Sequence, residues 1–328
     1  MIKLENTLAN TETMTGLAPE VRIGSSETCP LCGSEAVSDF RRAPDRFHLR
    51  REVYHLRRCS ACQCVWLSSP PPPEEMPYHY GQTYHKAIST TGEASAERWA
   101  SQRRKLAELK DGGALLDVGC SSGAFLSTMK GRSWSLYGIE IDPEQASRAE
   151  AKSGAQVFTG DLLDASFAAE SFDAITMFHV LEHFDRPGER MARIFSWLKP
   201  GGIIYLGLPN IGAWEARLFR SYWFGLELPR HFYHYSPDSL RALLRSAGFH
   251  EVWLHTPGSY ATQSLRYLVD DAVQRLGISR VPLAEMEAPT LPVTILRKAF
   301  RLCLGIPFMK VSEFAGKGAN LEAVYRKQ

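Results

Sequence analysis

Along the second half of the chain, apolar residues come in short runs separated by amphipathic stretches. Runs at 114–118 (ALLDV), 136–141 (LYGIEI), 156–159, 172–180 (FDAITMFHV) and 202–208 (GIIYLGL) have the length of strands. Stretches of helical period lie between them, such as 143–152, which Gly154 stops. A helix over 237–247 is marked at both ends, by Ser236 as N-cap, Pro237 at the first helical position and Gly248 as the stop. Strands alternating with helices predict an α/β fold, a parallel sheet covered on both faces. Two later runs, 251–255 (EVWLH) and 321–325 (LEAVY), predict further strands. The residues between them, 258–318, exceed what a compact sheet needs and predict a helical insertion over one edge. No internal repeat is visible.

The first third lacks this alternation. Residues 1–27 are polar and read as a flexible leader, and 28–69 carry paired cysteines. Pro70 to Pro73 form a stiff spacer without backbone donors. Tyr78, His79, Tyr80, Tyr84 and His85 follow, then a helix over about 95–110 that ends at Gly112 and Gly113. The expected organisation is a leader (1–27), a cysteine-rich ribbon (28–69), a linker with one helix (70–113) and the α/β domain (114–328).

A chain of 328 residues has room for about two domains. With 44% apolar and 23% charged residues it is neither disordered, collagen-like nor a coiled coil. A net charge of +2 gives no global field that would draw nucleic acid. The polar start, MIKLENTLANTETMTG, has no apolar signal core, and no run is long enough to cross a bilayer, so a cytoplasmic location is expected. Seven cysteines in such a compartment read as thiols or metal ligands rather than disulfides.

Cys29-Pro-Leu-Cys32 and Cys59-Ser-Ala-Cys62 are two such pairs, separated by more than the usual run of roughly 15–20 residues, which a hairpin can absorb. Four thiolates from two knuckles can surround Zn²⁺ tetrahedrally, and a closed site of this kind is structural. Cys64 is read as packing. Between the knuckles stand Arg41, Arg42, Arg46, Arg50, Arg51, Arg57 and Arg58. A solvated hairpin is the expectation, and a grip on phosphate, whether of RNA, a nucleotide-sugar or a lipid headgroup, is the alternative.

The turn after the first strand of the α/β domain reads Asp117-Val118-Gly119-Cys120-Ser121-Ser122-Gly123. Glycines at 119 and 123 allow close approach to a ligand. The dinucleotide pattern fails, because Ser121 and Ala124 stand where it requires glycine. Asp117 would repel a pyrophosphate and attract an ammonium group. Glu140, ending the second strand, can accept both hydroxyls of a ribose, and Asp161, after the third, can accept from an adenine amino group. An amino acid, a ribose and an adenine together describe S-adenosylmethionine (SAM).

The segments LLDVGCSSG, YGIEID, TGDLLD, FDAITMFHVLEH, LKPGG and SPDSLRALLRSAGF, spread over about 114–255, resemble class I SAM-dependent methyltransferases. CPLCG and RCSACQCVWL, with the tyrosine-rich linker, resemble the ribbons of zinc-bearing bacterial members, which often act on sugars, polysaccharides, lipids or secondary metabolites. Gln63 departs from the glycine usual after the second knuckle. The resemblance implies a Rossmann-like seven-stranded sheet of order 3-2-1-4-5-7-6, its strand 7 antiparallel. It implies that Asp117 and Gly119 hold the methionine end, Glu140 the ribose, and Asp161 with Leu162 the adenine. Cys120, Gly123, Ile141, Phe178 and His179 complete the expected cofactor contacts.

His179-Val-Leu-Glu182-His183 matches a zinc-protease pattern, but that chemistry needs both histidines on one face of a helix. Here His179 ends a strand, at the edge where open α/β sheets bind ligands. Ubiquinone-type O-methyltransferases carry a similar LEH preceded by an acid, in a cluster able to bind a divalent metal. His179 replaces that acid, so the expectation is a histidine general base, His183 or His179 beside Glu182, with His231 and His234 as second choices. Local hydrogen bonding is the competing role for each.

Residues 210–235 hold eight aromatics (Trp214, Phe219, Tyr222, Trp223, Phe224, Phe232, Tyr233, Tyr235) and read as a lid over an acceptor, or alternatively as packing between domains. The apolar stretch 291–310, with Arg297, Lys298, Arg301 and Lys310, reads as a buried amphipathic helix. The alternative is contact with a membrane's inner surface and a lipid-linked acceptor. The expected activity is methyl transfer to a small-molecule, glycan or lipid-linked hydroxyl. The alternatives are an RNA methyltransferase gripping through its arginines, and a non-catalytic SAM-binding or zinc-scaffold protein.

Overall fold

The computed structural model describes residues 27–48, 50, 52–80, 99–275 and 305–328. The leader up to residue 26, Arg51, Tyr84, His85, the start of the helix expected from 95, and 291–304 of the apolar stretch lie outside these residues.

Strands β1 (Val37–Pro44), β2 (Val53–Cys59) and β3 (Val65–Leu67) form an antiparallel ribbon. Helices α1 (Met76–His79) and α2 (Ala100–Leu109) lead to the large sheet. That domain runs β4 (Gly113–Val118), α3 (Ala124–Met129), β5 (Trp134–Glu140), α4 (Pro143–Ser153), β6 (Gln156–Thr159), β7 (Phe172–Phe178), α5 (Pro187–Trp197) and β8 (Leu198–Pro209). Then follow α6 (Trp214–Phe219), β9 (Tyr233–His234), α7 (Pro237–Ser246), β10 (Phe249–His255), α8 (Ala261–Arg275), α9 (Ile306–Phe314) and β11 (Asn320–Lys327).

The seven-stranded sheet has the order β10-β11-β8-β7-β4-β5-β6. Only β11 runs against its neighbours. Numbered within the domain this is 3-2-1-4-5-7-6 read from the other edge, as expected. The central strands are apolar on both faces because helices cover both, so Leu115, Leu116, Ile175 and Ile204 are fully buried. The caps visible in the sequence form. Asp142 accepts from the amides of Glu144 and Gln145, Gly154 closes α4 in the left-handed region, and Ser236 and Ser239 make a reciprocal capping box on α7.

Three expectations need correction. The strand expected to reach Val180 stops at Phe178, since His179 takes φ 57° and Leu181–His183 make a single 3₁₀ turn. A left-handed residue cannot continue a pleat, and one such turn cannot present two histidines as a protease helix does. Next, the ribbon is not closed on itself, because β9 pairs with β3 (Val65 opposite His234, Trp66 opposite Tyr233) and completes a four-stranded sheet. Its core is continuous with the large one, one cluster running from Cys29 and Trp66 to Leu206 and Leu240. Finally, Trp223, Tyr233 and Tyr235 of the expected lid are sealed inside, so packing rather than acceptor contact is their role.

Candidate functional site

The turn after β4 opens at the carboxyl edge of the parallel strands. Gly119 and Gly123 have φ 68° and 72°, where side chains strain. A Cβ at Gly119 would lie 2.4 Å from Val180, and one at Gly123 2.7 Å from the α4 backbone at Ala149. The glycines therefore let the turn sit close against its neighbours, where the Gly119 and Cys120 amides donate to the Ile139 carbonyl. Glu140 ties this turn to the second strand: Ser121 N donates to Oε2 at 2.8 Å and Asp142 N to Oε1 at 3.0 Å. Each carboxylate oxygen keeps a lone pair for a further donor, such as a ribose hydroxyl. Ile141, beside it, is 71% exposed, a large apolar side chain left open at the mouth of the cleft.

Asp117 lies beneath the turn and accepts from Thr176 Oγ1 at 2.7 Å. Burial first, and the Glu140 charge in addition, push its carboxyl up to about 7. A cation arriving nearby would reverse that. Asp161 accepts from the Leu163 amide at 2.9 Å and pairs with Arg190 at 3.0 Å. Leu162 is buried. Cys120 points its thiol back toward Gly138 of β5. Phe178 packs among Trp99, Phe125 and Tyr205.

Beyond β7 stand the groups expected to act on an acceptor. His183 Nδ1 is 3.0 Å from the Arg230 carbonyl and 2.9 Å from the Tyr80 hydroxyl. A carbonyl only accepts, which assigns the proton to Nδ1 and leaves Nε2 with a lone pair. His231 is fixed in the same way, Nδ1 donating to the Gly225 carbonyl at 3.1 Å. Burial, with His183 and His234 nearby, holds its pKa well below the usual range, so it stays neutral. Its ring meets that of His183 edge-on at 4.7 Å. Glu182 is buried, and among the described residues neither of its carboxylate oxygens has a hydrogen-bond partner; the nearby ion-pair contact is His179 Nδ1, 3.4 Å from Oε1. His179 itself is half-exposed. Donor atoms of Glu182, His183 and His231 all lie within 4.8 Å of one another, a set that can hold a divalent ion or pass a proton. His234 is instead a member of the ribbon sheet, donating to the Leu226 carbonyl at 2.9 Å.

No local sequence pattern gives Tyr80 or Arg230 a role. Arg230 is fully buried and pairs at 3.2 Å with Asp45 of the ribbon, also fully buried, and at 3.3 Å with Glu227. Burial alone would raise the Asp45 carboxyl, but the His48 hydrogen bond and the Arg230 charge hold it down to about 2. A folded-state pKa below the unfolded value of about 3.9 stabilises the fold above that pH, and the gain disappears as pH falls through about 2. Asp45→Ala, which strips Arg230 of its ribbon partner, is expected to cost about 3 kcal/mol at neutral pH, read from urea unfolding. The penalty should shrink in acid.

The ribbon brings four thiols together, their sulfurs all within 4.8 Å of one another. Cys29 and Cys62 sulfurs are 3.6 Å apart and those of Cys32 and Cys59 3.7 Å. Four sulfurs about 2.3 Å from one zinc would stand about 3.8 Å apart. Leu31 N points at Cys29 Sγ from 3.4 Å, as amides do around bound thiolates. Gly33 and Gln63, the residues after each knuckle, both turn left-handed (φ 72° and 63°); Gln63 offsets the strain by donating to the Ser60 carbonyl. Cys64 is buried outside the quartet.

Residues 92–253 match a family model described as a methyltransferase domain. A stretch of 155 residues is 33% identical to a ubiquinone biosynthesis O-methyltransferase of Xanthomonas axonopodis pv. citri, covering 43% of this chain and 65% of that one. Another of 135 residues is 32% identical to 24-methylenesterol C-methyltransferase 2 of Oryza sativa, covering 38% of this chain and 37% of that one. The chain thus spans less than two thirds of either relative. Among solved structures, phosphoethanolamine N-methyltransferase 2 of Haemonchus contortus, in complex with SAM, superposes with a TM-score of 0.51 at 15% identity. The superposition covers 80% of this chain and 61% of that one and shows a shared fold.

Proposed function

From a chain whose residues 92–253 are a class I SAM-dependent methyltransferase domain, we propose a methyl transfer from SAM to a hydroxyl of a small acceptor, with His183 as general base. The observation that carries the reading is the tautomer at His183, whose Nδ1 is tied to a carbonyl while Nε2 keeps its lone pair. Methyl transfer is an in-line displacement, so the protein's work is to align the acceptor oxygen with the sulfonium and to take up its proton.

In this reading Glu140 receives the ribose hydroxyls, and Asp117 faces the ammonium group of the methionine end. Ile141 covers one face of the adenine, and Asp161 accepts from its amino group. The acceptor hydroxyl lies beyond β7 and gives its proton to His183. The Tyr80 hydroxyl stands 2.9 Å from the same Nδ1 and helps to hold the ring in place. O-transfer is favoured over C-transfer because an imidazole nitrogen with a lone pair suits a hydroxyl proton. The relatives support either atom, being an O- and a C-methyltransferase by name.

Should the reaction use a divalent ion, Glu182, His183 and His231 would hold it, and it would supply Lewis-acid polarisation of the acceptor oxygen. The orphaned Glu182 carboxylate favours that second reading. Activity that survives chelation and dialysis supports the base; activity lost and restored by Mn²⁺ supports the ion. In the ribbon, Cys29, Cys32, Cys59 and Cys62 are read as a structural zinc site.

The test uses the full chain and methyl-labelled SAM with an extract of small molecules, lipids, glycans and RNA, followed by partition of the label. Label in small-molecule, glycan or lipid fractions supports the reading, and label in RNA overturns it. Calorimetry should show SAM binding that Glu140→Ala weakens by about 1–3 kcal/mol, through lost charge-assisted hydrogen bonds. Unchanged affinity would remove Glu140 from the ribose site.

A further inference from the structure

Between the ribbon and the large sheet lies a groove of about 1160 Å³ that the methyl-transfer site does not use. Seven basic side chains line it, Arg41, Arg42 and Arg58 from the ribbon and Arg217, Arg220, Arg241 and Lys317 from the other wall; Arg241 is held by Glu251, which leaves six. None of the six pairs with a carboxylate among the described residues. Other arginines of the protein do: Arg46 with Asp271, Arg50 with Asp45, Arg190 with Asp185 and Asp161, and Arg241 with Glu251. The two acids in the groove wall are engaged elsewhere. Asp238 meets Arg241, while Glu313 takes Lys310 and the Gly258 amide.

The hairpin is built to gather this charge. Ser38 stands opposite Arg58 and Asp39 opposite Arg57, but the next pair is Arg41 with Leu56, leaving Phe40 as a bulge. Residues directly opposite share a face of the sheet, so Arg41 joins Leu56 and Arg58 on the inward face. Without the extra residue Arg41 would turn away. Phe40 lies under both guanidiniums, 4.4 Å from that of Arg41 and 5.5 Å from that of Arg58. Arg41 reaches across the groove, donating to the Arg220 carbonyl at 3.3 Å. Burial first, then the charges of Arg220 and Arg58, press the Arg41 pKa down to about 10. Three like charges held together with no acid among them are a repulsive arrangement that an anion relieves, and guanidinium forks match the oxygens of phosphate.

We propose that this groove is an anion subsite, in which Arg41, Arg58 and Arg220 take a phosphate or diphosphate group of a small ligand. Its wall includes Ile211 and Gly212, just past the end of β8, and Thr256, just past β10. It therefore opens on the same carboxyl edge as the Gly119 turn, displaced toward β10, where the remote part of an acceptor can reach. That the ligand is the acceptor rests on the proposed function; that the groove binds the anion does not.

The experiment titrates the full chain with inorganic pyrophosphate by calorimetry and measures SAM binding separately. Saturable pyrophosphate binding is expected, weakened about tenfold or more in Arg41→Gln/Arg58→Gln and in Arg220→Gln, with SAM affinity unchanged. Competition of pyrophosphate against vesicles containing phosphatidic acid identifies a lipid headgroup as the source. Pyrophosphate binding without vesicle binding identifies a soluble ligand. Both support the subsite. No saturation by millimolar pyrophosphate, or equal binding by the variants, overturns it. Tighter groove-dependent binding of single-stranded RNA that pyrophosphate fails to displace also overturns it, in favour of a polynucleotide. Failure of wild-type protein to bind SAM would sink the proposed function while leaving this subsite standing.

Discussion

His183→Ala is expected to lower kcat by about 10²–10⁴ while leaving SAM affinity within about twofold, since a positioned base contributes that much and the imidazole lies outside the cofactor cleft. The Arg230 carbonyl fixes Nδ1 as the donor, so Nε2 is the basic atom. His231→Ala should do less harm. Its ring supports His183 edge-on, and its own Nδ1 is committed to Gly225, so it acts on the orientation of the base. His179→Ala should do least, because that side chain is half-exposed and among the described residues its polar contact is Glu182 at 3.4 Å. Tyr80→Phe separates positioning from chemistry, since it keeps the ring against His183 and removes the hydroxyl. The measurement is single-turnover transfer of labelled methyl, with SAM affinity determined in parallel. A His183→Ala protein of wild-type rate would overturn the base assignment.

Much of the large domain is legible in the sequence, because local signals determine it. Strand runs and caps at Asp142, Gly154, Ser236 and Pro237 depend on neighbours a few residues away, and the strands form within a few residues of the expected limits. The cofactor turn is legible for the same reason: Gly119, Gly123 and Glu140 follow strand ends directly. What escapes is long-range. Nothing near Arg230 signals that its charge meets Asp45 or that its carbonyl orients His183. The pairing of β9 with β3 joins a two-residue strand to a three-residue one, too short for a pattern. His179 reads as the end of an apolar strand, yet its φ of 57° ends the pleat before it. The bulge at Phe40 is invisible in a run of polar residues, so the arginines there read as a solvated face.

Cys59→Ser is expected to release one zinc per chain and to abolish methyl transfer, although no cysteine of the quartet touches the cleft. Structural zinc in small sites contributes about 10–16 kcal/mol of apparent binding energy, which becomes folding energy where the unfolded ligands are not preassembled. Cys59 is fully buried and ends β2, so serine there removes one of the four zinc ligands and leaves the coordination incomplete. The damage then travels along hydrogen bonds. Leu67 N donates to the Phe232 carbonyl at 2.9 Å, and Phe232 N donates to the Glu182 carbonyl at 2.8 Å. Ribbon strand β3 is thus two bonds from the residue preceding His183, and Asp45 reaches the same histidine through Arg230. Melting the ribbon frees both supports. SAM binding should survive in part, because Gly119, Gly123 and Glu140 are held by β4, β5 and α4 rather than by the ribbon. Elemental analysis, thermal unfolding and calorimetry on the full chain check the three limbs. Wild-type protein holding well under about one zinc per chain, or a Cys59→Ser variant with full activity, would refute the coupling.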